Sequence, residues 1–189
     1  MSSKVIIVHC WDGFPDYCWY PYVKNRLTQS GFQVSVPVFP ETGAPKLNLW
    51  LPKLREEVGI PNNDIFLVGH SIGCATILRY LESLTAGQKI GGVVLVAGFT
   101  HDLGYKELNN FFVTPLDLAK IRTHCDNFLA INSDNDQYVD LQEAQIFKEK
   151  LSAQIIVKPN AGHFSGEVDS ESACTSLPEV VDYIIKIAK

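Results

Sequence analysis

Ser71 stands between two glycines in Gly69-His70-Ser71-Ile72-Gly73, a G-x-S-x-G spacing. A serine hydroxyl is a weak nucleophile until a base takes its proton and the backbone holds it clear of its neighbours. The flanking residues meet the second condition. Asp64-Ile65-Phe66-Leu67-Val68 reads as a short buried strand, and Cys74 to Glu82 reads as a helix. A sharp turn between them lifts Ser71 above the sheet edge, with Gly69 and Gly73 giving the backbone room beside strand and helix. The helix begins at the nucleophile, so its free N–H groups and positive dipole end face a developing oxyanion. A turn in which Ser71 merely caps a helix would leave the order of the downstream residues unexplained.

That order supplies a base and an acid. Of five histidines (9, 70, 101, 124 and 163), His163 lies late, in Asn160-Ala161-Gly162-His163-Phe164 after a strand, where the sequence Ser, Asp, His requires it. A plain surface-loop histidine is the competing reading. His70 is expected to point away from the site and pack, His9 to support the loop it opens, and His101 and His124 to be peripheral. The acid must come from Ser133-Asp134-Asn135-Asp136-Gln137-Tyr138-Val139-Asp140. Asp136 is favoured because Val139, three residues on, can pack down and fix the loop. Asp134 is the fallback, and Asp140 suits a helix cap. These acids lack the glycine and terminal glutamate of a calcium loop, so no metal is expected. The oxyanion donors are assigned to the N–H of Ile72 and, from the loop His9 to Gly13, the N–H of Trp11.

The elements that must hold these residues follow a β-α rhythm. Strands are expected at Lys4–Val8, Val34–Val38, Asp64–Val68, Gly91–Ala97, Phe128–Ile131 and Gln154–Val157. Helices are expected at Trp19–Ser30, Asn48–Val58, 74–82, Pro115–Arg122, Leu141–Leu151 and Leu177–Ala188, with an irregular stretch from Gly98 to Asn110. Near-continuous apolar strands such as Val5-Ile6-Ile7-Val8 mark a parallel sheet buried on both faces. Its active site belongs at the carboxyl ends of the strands, near the topological switch.

Composition narrows the classes. A chain of 189 residues suits one domain, 1–189, burying about 70% of its unfolded surface. A net charge of −5 without a Lys/Arg cluster argues against nucleic acid or an anionic membrane as partner. No apolar run reaches the roughly 18–20 residues of a transmembrane helix, and no signal-peptide region precedes the first strand. Five cysteines without a C-x-x-C pair read as free thiols in a reducing cytoplasm. The loop after the first strand lacks G-x-G-x-x-G and no Walker pattern appears, so no nucleotide, flavin or other cofactor is expected.

Together, Gly69-His70-Ser71-Ile72-Gly73-Cys74, Ser133 to Val139 and Gly162-His163-Phe164 resemble the small α/β-hydrolases of the retinoblastoma-binding protein 9 and YdeN family. The likeness runs along nearly the whole chain and includes Trp19-Tyr20-Pro21-Tyr22-Val23-Lys24-Asn25-Arg26-Leu27 and Val94-Leu95-Val96-Ala97-Gly98-Phe99. It implies a minimal α/β-hydrolase fold, with a six-stranded, mostly parallel sheet in order 2-1-3-4-5-6, helices on both faces and no large cap domain. By resemblance the nucleophile is Ser71, the acid Asp136 and the base His163, acting on a small acyl substrate. Without a cap the pocket should be shallow, with Trp11, Phe14, Phe99, Phe111, Phe112 and Phe164 as candidate walls, each equally able to be plain core. Two departures stand out. Cys10 replaces the family's usual glycine, which implies strain if that position needs positive φ. None of the cysteines sits in an L-x-C-x-E peptide, so retinoblastoma protein is not an expected partner. The expected activity is that of a serine hydrolase on an ester, thioester or amide, from a monomer or small homo-oligomer. A hydrolase-fold binding scaffold with an idle site is the alternative.

Overall fold

The structure, a computed structural model, describes residues 3–188. Six strands, β1 (Lys4–Val8), β2 (Gln33–Ser35), β3 (Ile65–His70), β4 (Gly92–Val96), β5 (Phe128–Ser133) and β6 (Gln154–Lys158), form one sheet in the order β2-β1-β3-β4-β5-β6. Every pairing is parallel. The helices are α1 (Tyr20–Gln29), α2 (Leu47–Val58), α3 (Ile72–Glu82), α4 (Leu118–Thr123), α5 (Gln142–Leu151) and α6 (Pro178–Ile187). Single 3₁₀ turns cover Lys106–Phe111 and Glu167–Asp169.

The strands are apolar throughout because alternate residues serve two cores. Ile6, Val8, Leu67, Leu95 and Ala130 pack against one set of helices, with Trp50 and Leu54 from α2, Ile77 and Leu81 from α3, Ile121 from α4 and Phe147 from α5. Val5, Ile7, Val68, Val94 and Ile131 face Val23 and Leu27 of α1 and Val180 and Ile184 of α6.

Several element boundaries differ from expectation. β2 ends at Ser35 rather than Val38. Its pairing with β1 stops at Ile6↔Ser35, and Pro37, lacking an N–H, cannot extend a ladder. The chain instead turns so that Phe39 packs on Trp50 and its N–H donates to His9 Nε2 at 3.2 Å. α4 begins at Leu118, not Pro115, because the Asp117 carboxylate accepts the Lys120 N–H at 2.9 Å and caps the helix there. β3 and α3 both run closer to Ser71 than expected, leaving it alone between them.

Candidate active site

Ser71 lies at φ 54°, ψ −119°, a strained conformation for a residue with a side chain. Its N–H is held by the Val96 carbonyl at 2.9 Å. The two glycines of the motif are spatial requirements. A Cβ at position 69 would lie 2.7 Å from the Cys74 nitrogen, and one at 73 would fall on the Val8 carbonyl oxygen. Strand β3, helix α3 and strand β1 therefore converge on the turn closely enough to force it.

The loop after β6 brings His163, buried to 5% exposure, over this turn. The Ser71 hydroxyl donates to His163 Nε2 at 2.9 Å. His163 Nδ1 donates to Asp136 at 2.9 Å to Oδ2 and 3.0 Å to Oδ1. A carboxylate on Nδ1 places the proton there and leaves Nε2 bare, the tautomer that can accept from a hydroxyl. Asp136 is itself fixed, since its Oδ1 accepts the N–H groups of Tyr138 (2.9 Å) and Val139 (3.1 Å). Val139 is buried, as its place in the loop led one to expect.

The neighbouring acids do other work. Asp134 accepts the Asn160 N–H at 2.8 Å, and Asp140 accepts the Gln142 N–H at the start of α5. Two further links stitch the loops after β5 and β6 together. Ser133 Oγ accepts from Ala161 N–H at 3.0 Å, and Asn135 Oδ1 accepts from Gly162 N–H at 2.8 Å. The loop that carries His163 has a clamp that sequence reasoning missed. Both oxygens of Glu171 accept the His163 N–H, at 2.7 and 2.9 Å. Gly162 makes room for it, since a Cβ there would lie 2.6 Å from Glu171 Oε2. No local pattern announces Glu171, which reaches the site across an irregular segment.

On the other side of Ser71, Ile72 opens α3, so its N–H has no intrahelical acceptor. The loop after β1 is turned tightly by Gly13 N–H to Cys10 C=O (3.1 Å) and tied outward by Asp12 N–H to Thr42 C=O (3.0 Å). Trp11 anchors its indole on the Gly43 carbonyl at 3.2 Å, and its main-chain N–H makes no hydrogen bond among the described residues. The strain expected at Cys10 is absent. Cys10 does not have positive φ; Asp12, two residues on, does, at 53°. The Cys10 thiol is pushed up to about 12 by burial. His9 shapes this loop, donating from Nδ1 to the Cys10 carbonyl at 2.9 Å, and burial lowers its pKa.

A cavity of about 380 Å³ opens above Ser71 and His163. Trp11 and Phe99 line it, as expected, together with Ile72, Leu103, Tyr105, Leu108 and Tyr138. The other four aromatic candidates do not. Phe14 is half-exposed and leans on Tyr17. Phe111 is buried against Trp50. Phe112 stands behind Phe99 at 5.8 Å with the Arg79 guanidinium over its ring. Phe164 is buried in the core under α1 and α6, on the other sheet face. The 3₁₀ turn 106–111 explains the swap, as it sends Leu108 into the cavity and Phe111 into the core. Arg79 of α3 pins that segment, donating to the Phe111 carbonyl at 2.7 Å and to the Thr114 carbonyl. The lining carries two carboxylates, Glu107 and Asp169, and no Lys or Arg. No cluster of three or more His, Cys, Asp or Glu suited to a metal ion occurs among the described residues. No described helix is long and apolar enough to cross a membrane.

Comparison with known proteins agrees with the geometry. A family model described as serine hydrolase matches residues 5–186. YdeN of Bacillus subtilis, a hydrolase by name, is 30% identical over 185 residues, covering 97% of this chain and 95% of that protein. The serine hydrolase RBBP9 of Rattus norvegicus is 28% identical over 149 residues, 77% of each chain. The crystal structure of the B. subtilis ydeN gene product superposes with a TM-score of 0.90 over 98% of both chains at 29% identity.

Proposed function

The chain belongs to the serine hydrolase family, and from that premise we propose that it cleaves a small carboxylic ester, thioester or amide through an acyl-enzyme on Ser71. Ser71 Oγ attacks the substrate carbonyl while His163 Nε2 takes the hydroxyl proton. The Asp136 carboxylate holds the imidazolium that forms. The N–H groups of Ile72 and Trp11 receive the oxyanion, where loss of one such donor lowers the rate by about 10²–10³. As the tetrahedral adduct collapses, the leaving group departs with the proton from His163. Water then attacks the acyl carbonyl, His163 takes its proton, and Ser71 regains its hydroxyl as the acid is released.

One observation carries this reading: a hydroxyl on a strained turn, 2.9 Å from an imidazole nitrogen whose other nitrogen sits 2.9 Å from a buried carboxylate. The apolar cavity above it suits an acyl group of modest size. The test is labelling with a fluorophosphonate, which reacts only with an activated serine. Wild type should label, Ser71→Ala should not, and His163→Ala should label far more slowly. A folded wild type that resists the probe and turns over no p-nitrophenyl ester would refute the mechanism and favour a binding scaffold.

A further inference from the structure

We propose that Tyr20 and His70 are positioning residues for the reaction at Ser71, joining the oxyanion-side loop to the base loop by one buried chain of hydrogen bonds. The inference rests on the functional reading of Ser71 and His163 given above. The chain begins at the Cys10 N–H, which donates to the Tyr20 hydroxyl at 3.0 Å. The Tyr20 hydroxyl lies 2.7 Å from His70 Nδ1, and His70 Nε2 lies 2.8 Å from the carbonyl oxygen of His163. Tyr20 and His70 are fully buried.

The chemistry of the groups fixes the direction of every link. A phenol has one proton to donate. Having accepted from Cys10, it gives that proton to His70 Nδ1. The His70 proton therefore sits on Nε2 and points at the His163 carbonyl. The other tautomer would leave the phenol proton without a partner and set the Nε2 lone pair against a carbonyl oxygen. A charged His70 is disfavoured by the same accounting, since both its nitrogens would donate and the phenol, accepting from Cys10 and from Nδ1, would be left with its own proton unpartnered. Burial agrees, holding the His70 pKa down to about 3. Neutrality matters because the His163 ring, 5.4 Å away, must itself become a cation during turnover.

The positions joined are what make the chain functional. Cys10 precedes Trp11, which lines the cavity and whose N–H makes no hydrogen bond among the described residues. His70 precedes Ser71. The His163 carbonyl belongs to the base. These loops follow three different strands, β1, β3 and β6, and the base loop is otherwise tied to the loop after β5 and to Glu171. The Tyr20–His70 link thus sets donor, nucleophile and base in register across the strained turn. Displacing such groups by about 1 Å costs on the order of 10² in rate without removing any of them.

The test is steady-state hydrolysis of p-nitrophenyl butyrate by wild type, Tyr20→Phe, His70→Leu and His70→Gln, with thermal unfolding of each. Tyr20→Phe should stay folded and lose about 10–100-fold in kcat with KM little changed, and its fluorophosphonate labelling should slow in parallel. His70→Leu should lose at least as much. His70→Gln should recover part of the rate, because its amide N–H can still reach the His163 carbonyl. Folded Tyr20→Phe with wild-type kcat would overturn the proposal. So would losses in kcat that merely follow the fraction unfolded. Should the variants not fold, ¹⁵N NMR of the wild-type imidazoles decides. A neutral His70 with its proton on Nε2 supports the chain, and a proton on Nδ1 overturns it. An unlabelled wild type would instead refute the reading of Ser71, and the tautomer measurement would still report on the chain.

Discussion

Replacing Asp136 by asparagine changes one atom and, by the geometry around it, inverts the base. Oδ1 of Asp136 accepts two backbone donors, the N–H groups of Tyr138 and Val139, at 2.9 and 3.1 Å, beside the longer of the two His163 Nδ1 contacts at 3.0 Å. An asparagine must keep its carbonyl oxygen on those donors, since an NH₂ group facing two N–H groups would leave all of them unsatisfied. Its NH₂ then takes the place of Oδ2 and points at His163 Nδ1, 2.9 Å away. The imidazole answers by moving its proton to Nε2, where it faces the Ser71 hydroxyl and cannot accept from it. The fold should survive, because every backbone bond of the loop is kept. The rate should not: a wrong tautomer in such a triad costs about 10⁴ in kcat, roughly 5.5 kcal/mol of transition-state stabilisation. Asp134→Asn is the matched control, since the Asp134 side chain accepts only the Asn160 N–H, which an amide oxygen also accepts. The assay is hydrolysis of p-nitrophenyl butyrate beside thermal unfolding. Asp136→Asn retaining kcat to within about tenfold at an unchanged Tm would refute the argument, as would an equal loss in Asp134→Asn.

Three further outcomes are expected. Gly73→Ala should destabilise by at least about 1–3 kcal/mol, because the new Cβ meets backbone atoms of Val8 and His9 rather than flexible side chains; an unchanged urea midpoint would contradict it. Burial holds His70 near 3 in the folded protein, whereas the unfolded chain takes up that proton below an ordinary histidine's pKa of about 6.5. Stability is therefore full above about pH 6.5 and falls as the pH drops towards 3, by about 2 kcal/mol at pH 5, with His9 adding in the same direction; urea unfolding between pH 5 and 8 measures it, and a flat profile refutes it. Because Glu107 and Asp169 line the cavity without a cation, an ester whose acyl chain ends in a carboxylate should turn over several-fold more slowly than its neutral isostere. The gap should narrow in high salt and in Asp169→Asn, and equal rates for the two esters would contradict it.

How far the sequence could be read depended on how local each constraint is. The turn at Ser71 was legible because strand, glycines and helix sit within a few residues, and the clash at Gly73 shows that the spacing is enforced. His163 was legible through chain order. Asp136 was separable from Asp134 through Val139, which is a local packing argument. The cavity walls were not legible. Phe111 and Leu108 are three residues apart, and only the 3₁₀ turn and its anchorage on Arg79 decide which faces the cavity and which the core. Phe164 directly follows His163 yet serves the opposite sheet face. The Tyr20–His70 pair was beyond reach for the same reason, since the sheet order brings His70 to Tyr20 and His163 to His70. Glu171 was beyond reach because the irregular segment after His163, with no periodicity to read, folds it back onto the His163 N–H. Cys10 is the converse case. A local rule placed strain there, and the loop took its positive φ at Asp12 instead.

The sheet order explains why such a link is needed at all. The chain winds outward from β1 to β2 and then, from β3, in the other direction to β6, so β1 and β3 lie side by side at the point where the order reverses. Loops leaving strands at that point diverge and open a crevice. The Trp11 N–H, without a hydrogen bond among the described residues, belongs to the β1 side of the crevice and Ser71 to the β3 side. Asp136 and His163 come from the loops after β5 and β6, two and three strands beyond β3, and are stitched chiefly to each other. Left at that, the site is two half-sites meeting at one strained residue. Helix α1 packs on one face of the sheet beside β2 and α6, and it is from α1 that Tyr20 reaches Cys10 on one side and, through His70, His163 on the other. A fold without a cap has no second domain to press the halves together, and the register that catalysis needs is set instead from inside the core.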